Sequence, residues 1–177
     1  HHGGGRGHRP VRCRDRWRCT VSAASDVRTL LAAHPFTDGC SAAELESLAR
    51  GARVVDLAPW ELLFHEGRPA THAYLVVAGQ IGLELHVPNG GSVVVATVGP
   101  GELLGWSWLL PPHTWRFDAR ARSAARLVAL DAGEVRSTCA ADPALDRLVT
   151  HRMLETLAAR LEATRHQLID VYGRGVT

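Results

Sequence analysis

The stretch His72-Ala73-Tyr74-Leu75-Val76-Val77-Ala78-Gly79-Gln80-Ile81-Gly82-Leu83-Glu84-Leu85-His86-Val87 decides the fold of this chain. Its two halves are apolar, or alternate apolar with polar residues, at the length of β-strands. Between them Ala78-Gly79-Gln80 supplies the glycine that a tight corner needs. Working outward, the same texture continues on both sides. The predicted strands are Arg53–Leu57, Leu62–His65, His72–Val77, Gln80–Val87, Ser92–Val98, Leu103–Gly105, Phe117–Ser123 and Arg126–Leu130. Turns such as Pro88-Asn89-Gly90-Gly91 and Val98-Gly99-Pro100-Gly101 separate them. Eight short strands at this spacing predict an eight-stranded antiparallel β-roll or jelly roll, which leaves few open edges.

Helices flank the strands, so the fold class is mainly β with flanking helices. Asp26-Val27-Arg28-Thr29-Leu30-Leu31 begins a short helix that ends before Pro35. Ser41, with Glu44 three residues on, forms a capping box for a second. A third is expected from about Ala132 to Cys139, and Asp142-Pro143 opens a long one that runs to about Tyr172. In it Leu154, Leu157, Leu161, Thr164, Leu168 and Val171 follow alternating spacings of three and four, a coiled-coil seam. At ~1.5 Å per residue the helix is roughly 45 Å long, which favours projection and a homodimer through Leu154, Leu157, Leu161, Leu168 and Val171 over packing on the strands.

Of 177 residues, 46% are hydrophobic and 21% charged, as in an ordinary soluble protein. No stretch approaches the ~20 apolar residues of a membrane span, and no secretory leader stands at the N-terminus. The formal charge of +2 is uneven. Residues 1–20 hold six arginines against Asp15, so the remainder is acidic, which argues against a broad nucleic-acid-binding face. That N-terminal segment reads as a disordered leader, a tag remnant or an upstream region, since its composition is Gly-, Arg- and His-rich and no Met begins it. A basic arm for an acidic partner, or a metal site at Cys13, Cys19 and His8, are the alternatives. Cys40 and Cys139 are isolated and read as reduced thiols of a cytoplasmic protein. The expected layout is a leader at 1–24, a roll with flanking helices at 25–140, a dimer helix at 141–172 and a tail at 173–177.

This order of elements resembles the cyclic-nucleotide-binding domains over roughly Val27–Tyr172. The segments carrying the likeness are His34-Pro35-Phe36, Leu62-Leu63-Phe64-His65-Glu66-Gly67-Arg68-Pro69-Ala70, and Ala73 through Ile81. Val98-Gly99-Pro100-Gly101-Glu102-Leu103-Leu104-Gly105 and Leu127-Val128-Ala129-Leu130-Asp131 complete them. The chain is similar to the ligand-binding halves of cAMP-receptor-type bacterial regulators. That resemblance implies a ligand cassette in which a Glu accepts a ribose hydroxyl, while backbone amides and an Arg hold a cyclic phosphate. A buried phosphate needs a cationic fork and amide donors, and a buried sugar hydroxyl needs an acceptor.

In this chain the corresponding binding residues are Leu104, Gly105, Trp106, Ser107, Trp108, Arg116 and Asp118. Trp106 stands in the place of the ribose-binding Glu, and an indole donates but does not accept. Trp108 replaces a small residue beside the phosphate. Arg116 is the nearest match for the phosphate arginine, although a gapless alignment puts Trp115 there. Asp118 is spaced to pair with Arg116 or to repel a phosphate. A buried polar group without its partner costs ~1–3 kcal/mol, so ordinary cAMP binding is expected to be weak or absent. Two readings stay open. The tryptophans fill the pocket as core, or the roll takes a different ligand such as a cyclic dinucleotide. For the latter, Arg116 with Arg120, or Arg122 with Arg126, has the spacing of a converging pair on one strand face.

No catalytic or metal residues are expected. His65, His72, His86 and His113 lack the His-x-His pair of a cupin, and no nucleophile elbow or phosphate loop occurs. The expected function is a stand-alone regulatory or sensor domain that acts by ligand or partner binding and dimerisation. The alternative is a ligand-free interaction module of a larger assembly. The chain runs only five residues past Tyr172, so sequence-specific DNA binding is not expected.

Overall fold

The computed structural model describes residues 24–87 and 90–173. Helix α1 (Ala24–Ala32), a 3₁₀ turn (Pro35–Thr37) and α2 (Ala42–Ala49) precede eight strands. These are β1 (Arg53–Leu57), β2 (Leu62–Phe64), β3 (His72–Ala78), β4 (Ile81–Val87), β5 (Gly91–Val98), β6 (Leu103–Leu104), β7 (Asp118–Ala121) and β8 (Ala125–Asp131). Helices α3 (Ala132–Ala141) and α4 (Pro143–Gly173) follow. All eight predicted strands are present, with ends shifted by one or two residues. The leader and the tail from residue 174 on lie outside the described residues, as does the Pro88-Asn89 part of the predicted turn.

Two four-stranded antiparallel sheets face each other, in the orders β1-β8-β3-β6 and β2-β7-β4-β5. The first carries α1 and α3 on its outer face. That is why β3 reads as a continuous apolar run: Ala73, Tyr74, Leu75 and Val76 are all buried, two toward each layer. The outer face of the second sheet is open, and its β5 is mostly exposed from Gly91 to Val94. The corner read in the sequence is real. Gly79 has φ +80°, and a Cβ there would sit 2.2 Å from the Ala124 carbonyl oxygen, so only glycine fits.

The helix signals also hold. Ser41 Oγ accepts from the Glu44 amide at 3.2 Å, and the Glu44 carboxylate accepts from the Ser41 amide at 2.5 Å. Helix α4 packs through Leu145, Val149 and Met153, each buried. Leu154 and Leu161 of the predicted seam point away, 60% and 54% exposed, and Leu157 is half-buried. From Leu161 to His166 every side chain is exposed, so the helix leaves the body there. The side chains of Leu168 and Val171 are outside the described residues. No helix among the described residues is long and apolar enough to cross a membrane.

Candidate functional site

The segment from Gly105 to Phe117 joins β6 of one sheet to β7 of the other, and so bridges the mouth of the roll. It has no regular period. Main-chain bonds to the loop before β3 hold its far end: Gly67 N–H donates to Trp115 O at 2.9 Å, Trp115 N–H to Arg68 O at 2.9 Å, and Ala70 N–H to His113 O at 2.7 Å. At the near end Gly105 turns at φ +76°.

Those bonds turn the Trp115 side chain inward. Its ring lies 3.7 Å from that of Phe64 at an interplanar angle of 6°, with Tyr74 at 6.1 Å. Trp115 is 5% exposed. The Gly105 backbone presses against the same indole, since a Cβ on Gly105 would meet Trp115 Cζ3 at 2.9 Å. An aromatic pair of this kind contributes ~0.5–1.5 kcal/mol beyond its burial.

Around it runs a narrow crevice lined by Gly105, Trp106, Ser107, Trp115, Arg116 and Arg160, among others. Its free volume is about 10 Å³, barely room for one water. No acidic side chain lines it. Arg116 is exposed and makes no hydrogen bond or ion pair among the described residues. Arg160 reaches in from α4 and donates from Nη2 to the Leu103 carbonyl at 2.8 Å. Burial pushes its guanidinium below its ordinary range, and the charge of Glu102 opposes that shift.

The predicted site residues divide. Gly105, Trp106, Ser107 and Arg116 meet at the crevice. Leu104 is buried on β6 and pairs with Tyr74, outside that lining. Trp108 does not face the crevice either. It is fully buried, its indole N–H meets no acceptor among the described residues, and its carbonyl accepts from Arg136 of α3. Asp118, half-buried on β7, accepts from the Glu66 amide at 2.7 Å with His65 at 3.5 Å; it makes no ion pair with Arg116 and lies outside the crevice lining.

The two arginine pairs do not converge. Arg120 and Arg122 both lie on the nearly buried Glu84, at 3.4 and 3.6 Å, on the open face of the second sheet. Arg122 also stacks on Trp60 at 4.6 Å. Arg126 pairs with Asp56 at 2.7 Å. Strand alternation put Arg120 and Arg122 on one face, but irregular backbone separates Arg116 from it. Arg160 was missed in the sequence. The signal was there: Leu145, Val149, Met153 and Arg160 share the buried face of α4, an apolar stripe that ends on a charge.

A two-sheet roll with a bridging cassette and a long C-terminal helix defines a class of regulatory domain, and the comparisons agree. Residues 54–142 match the family described as cyclic nucleotide-binding domain, and the chain belongs to that family. It is similar to a CRP-like cAMP-activated global transcriptional regulator of Mycobacterium tuberculosis, 24% identical over 142 residues. That match covers 80% of this chain, which spans 62% of the length of the curated relative. Among solved structures it resembles a cyclic nucleotide-binding domain from Methylobacillus flagellatus KT, with a TM-score of 0.68, 19% identity and 83% of each chain covered. It also resembles the N-terminal domain of a transcriptional regulator from Streptomyces coelicolor A3(2), with a TM-score of 0.58 and 27% identity over 78% of this chain and 94% of that one.

Proposed function

We propose that this domain is a regulatory module whose cassette has been remodelled away from ordinary cAMP binding. It acts by ligand or partner contact at the cassette and by self-association through α4. One observation supports the reading: Trp115, which a gapless alignment puts in the place of the phosphate arginine, is buried and stacked on Phe64 at 3.7 Å. Trp106 adds to it, because an indole cannot accept from a ribose hydroxyl. The exposed Leu154 and Leu161 support the self-associating seam, since stripes of this kind on a projecting helix are covered by a second helix.

The ligand-free interaction module is the second reading, and the near absence of free volume favours it. Titration of the full chain with cyclic AMP and cyclic di-AMP, read by calorimetry and tryptophan fluorescence, tests the proposal. Weak or absent cyclic AMP binding is expected. Cyclic AMP binding as tight as that of a working receptor domain would overturn it. Binding of neither nucleotide leaves the interaction module as the function.

A further inference from the structure

A second cavity lies away from the cassette, between the start of α2 and the first turns of α4. Its free volume is about 640 Å³, within the ~300–1,000 Å³ of small-molecule sites. One wall is acidic, from Asp38 and Glu44. The other is α4, which presents Arg147, His151 and Arg152 at helical spacing. Leu148, Ala144 and Gly39 complete the lining without charge. Gly39, at φ +92°, lets its loop pass close to the helix: a Cβ there would touch Leu148 Cδ1 at 3.5 Å.

No ion pair joins the two walls among the described residues. His151 and Arg152 turn along their own helix to Glu155, at 3.4 and 3.0 Å. Arg152 reaches across only to the Asp38 main-chain carbonyl, at 3.2 Å. Glu44 uses one oxygen to cap α2, while Arg147 and the Asp38 carboxylate make no side-chain bond to any described residue. The half-buried Cys40 thiol registers both walls: burial and then Glu44 push it up to about 11, and Arg152 opposes them. These charged groups are exposed or half-buried, so none is stranded. What they form is a gap between unlike walls, too wide for a direct ion pair and open to a ligand that carries both signs.

We infer that this groove binds a short peptide with free termini, its ammonium on the Asp38 and Glu44 wall and its carboxylate on Arg147. A purely anionic ligand would meet two carboxylates there, and a purely cationic one the arginines; a zwitterion finds a partner on each side. The α4 face from Ala144 to Glu155 is roughly 17 Å long, and an extended tripeptide spans ~10–11 Å. The groove therefore takes a few residues rather than a lone amino acid. The inference goes beyond the cassette reading, because none of these residues lines the crevice.

The test titrates the full chain by calorimetry, at low ionic strength, with the tripeptide Ala-Leu-Ala. Its N-acetylated, C-amidated and doubly blocked forms and free alanine are titrated alongside. Binding of the free tripeptide in the millimolar range or tighter is expected, and blocking either terminus should weaken it about five- to tenfold. Arg147→Gln should weaken the free tripeptide by a similar factor and remove its advantage over the C-amide. Glu44→Gln combined with Asp38→Asn should likewise remove its advantage over the N-acetyl form; glutamine at 44 keeps the capping box, and an unchanged melting temperature checks folding. Arg165→Gln, exposed on α4 outside the lining, should change nothing. No binding of the tripeptide at millimolar concentration would overturn the inference. So would equal affinity for the free and doubly blocked forms, or an undiminished preference for the free carboxylate in Arg147→Gln. Free alanine binding as tightly as the tripeptide would overturn the assignment to a peptide. None of these results bears on the cassette, which the cyclic nucleotide titrations test separately.

Discussion

Gly105→Ala measures directly how tightly Trp115 plugs the roll. Two costs add. Alanine at φ +76° is in the left-handed region, worth roughly 1 kcal/mol. Its Cβ would also sit 2.9 Å from Trp115 Cζ3, well inside the ~3.5–4.0 Å of an ordinary carbon contact. The indole has little room to move, with Phe64 stacked at 3.7 Å and the Trp115 backbone bonded on both sides. Overpacking of this kind costs ~1–3 kcal/mol. The expected destabilisation is therefore about 3 kcal/mol, or a fall in melting temperature of roughly 6–12 °C for a domain of this size. In a Trp115→Leu background the steric part disappears and about 1 kcal/mol remains. The coupling of about 2 kcal/mol is read by urea unfolding of the four proteins in a double-mutant cycle. Equal penalties in both backgrounds would refute the claim that Gly105 and Trp115 are packed against each other.

Three further outcomes are expected. Leu161→Glu places a charge on the exposed seam and should convert a dimer to monomers by light scattering, while the melting temperature of the roll changes little. His34 is buried, with Nε2 donating to Val76 O at 3.1 Å and Nδ1 accepting from the Phe36 amide at 3.2 Å, and burial lowers its pKa below 6.5. Above pH 6.5 it is neutral in both states; below that the unfolded chain takes up the proton first, so stability falls with acid, and His34→Asn should flatten that part of the stability–pH curve. Trp60 sits at φ +68° and is 59% exposed. Trp60→Gly should thus lie within about 0.5 kcal/mol of wild type by urea unfolding, while Trp60→Ala, which keeps the backbone cost and loses the Arg122 stack, should lose about 1 kcal/mol.

Much of the fold was legible because its signals are local. Gly79 marked its corner, Ser41 and Glu44 their capping box, and the apolar run of β3 its double burial. The cassette was less legible, for a physical reason. Between β6 and β7 the chain follows neither the period of a strand nor that of a helix, so spacing does not tell which way a side chain points. Trp115 and Arg116 are neighbours, yet the bonds from Gly67 and to Arg68 send the indole inward and leave the guanidinium outside. Trp108 and Asp118 were grouped with the binding residues by order along the chain, and tertiary contacts with Arg136, His65 and Glu66 took them elsewhere. Arg160 lies some forty residues further on and joins the site only because α4 folds back across β6.

The central claim is that a member of the cyclic nucleotide-binding domain family has filled its cyclic-phosphate space with Trp115. Calorimetric titration of the full chain with cyclic AMP, repeated on Trp115→Ala, tests it most directly. The account predicts a dissociation constant of about 1 mM or weaker for the wild-type chain, a binding free energy no better than roughly −4 kcal/mol. A one-to-one complex in the low micromolar range, with Trp115 intact, would contradict it.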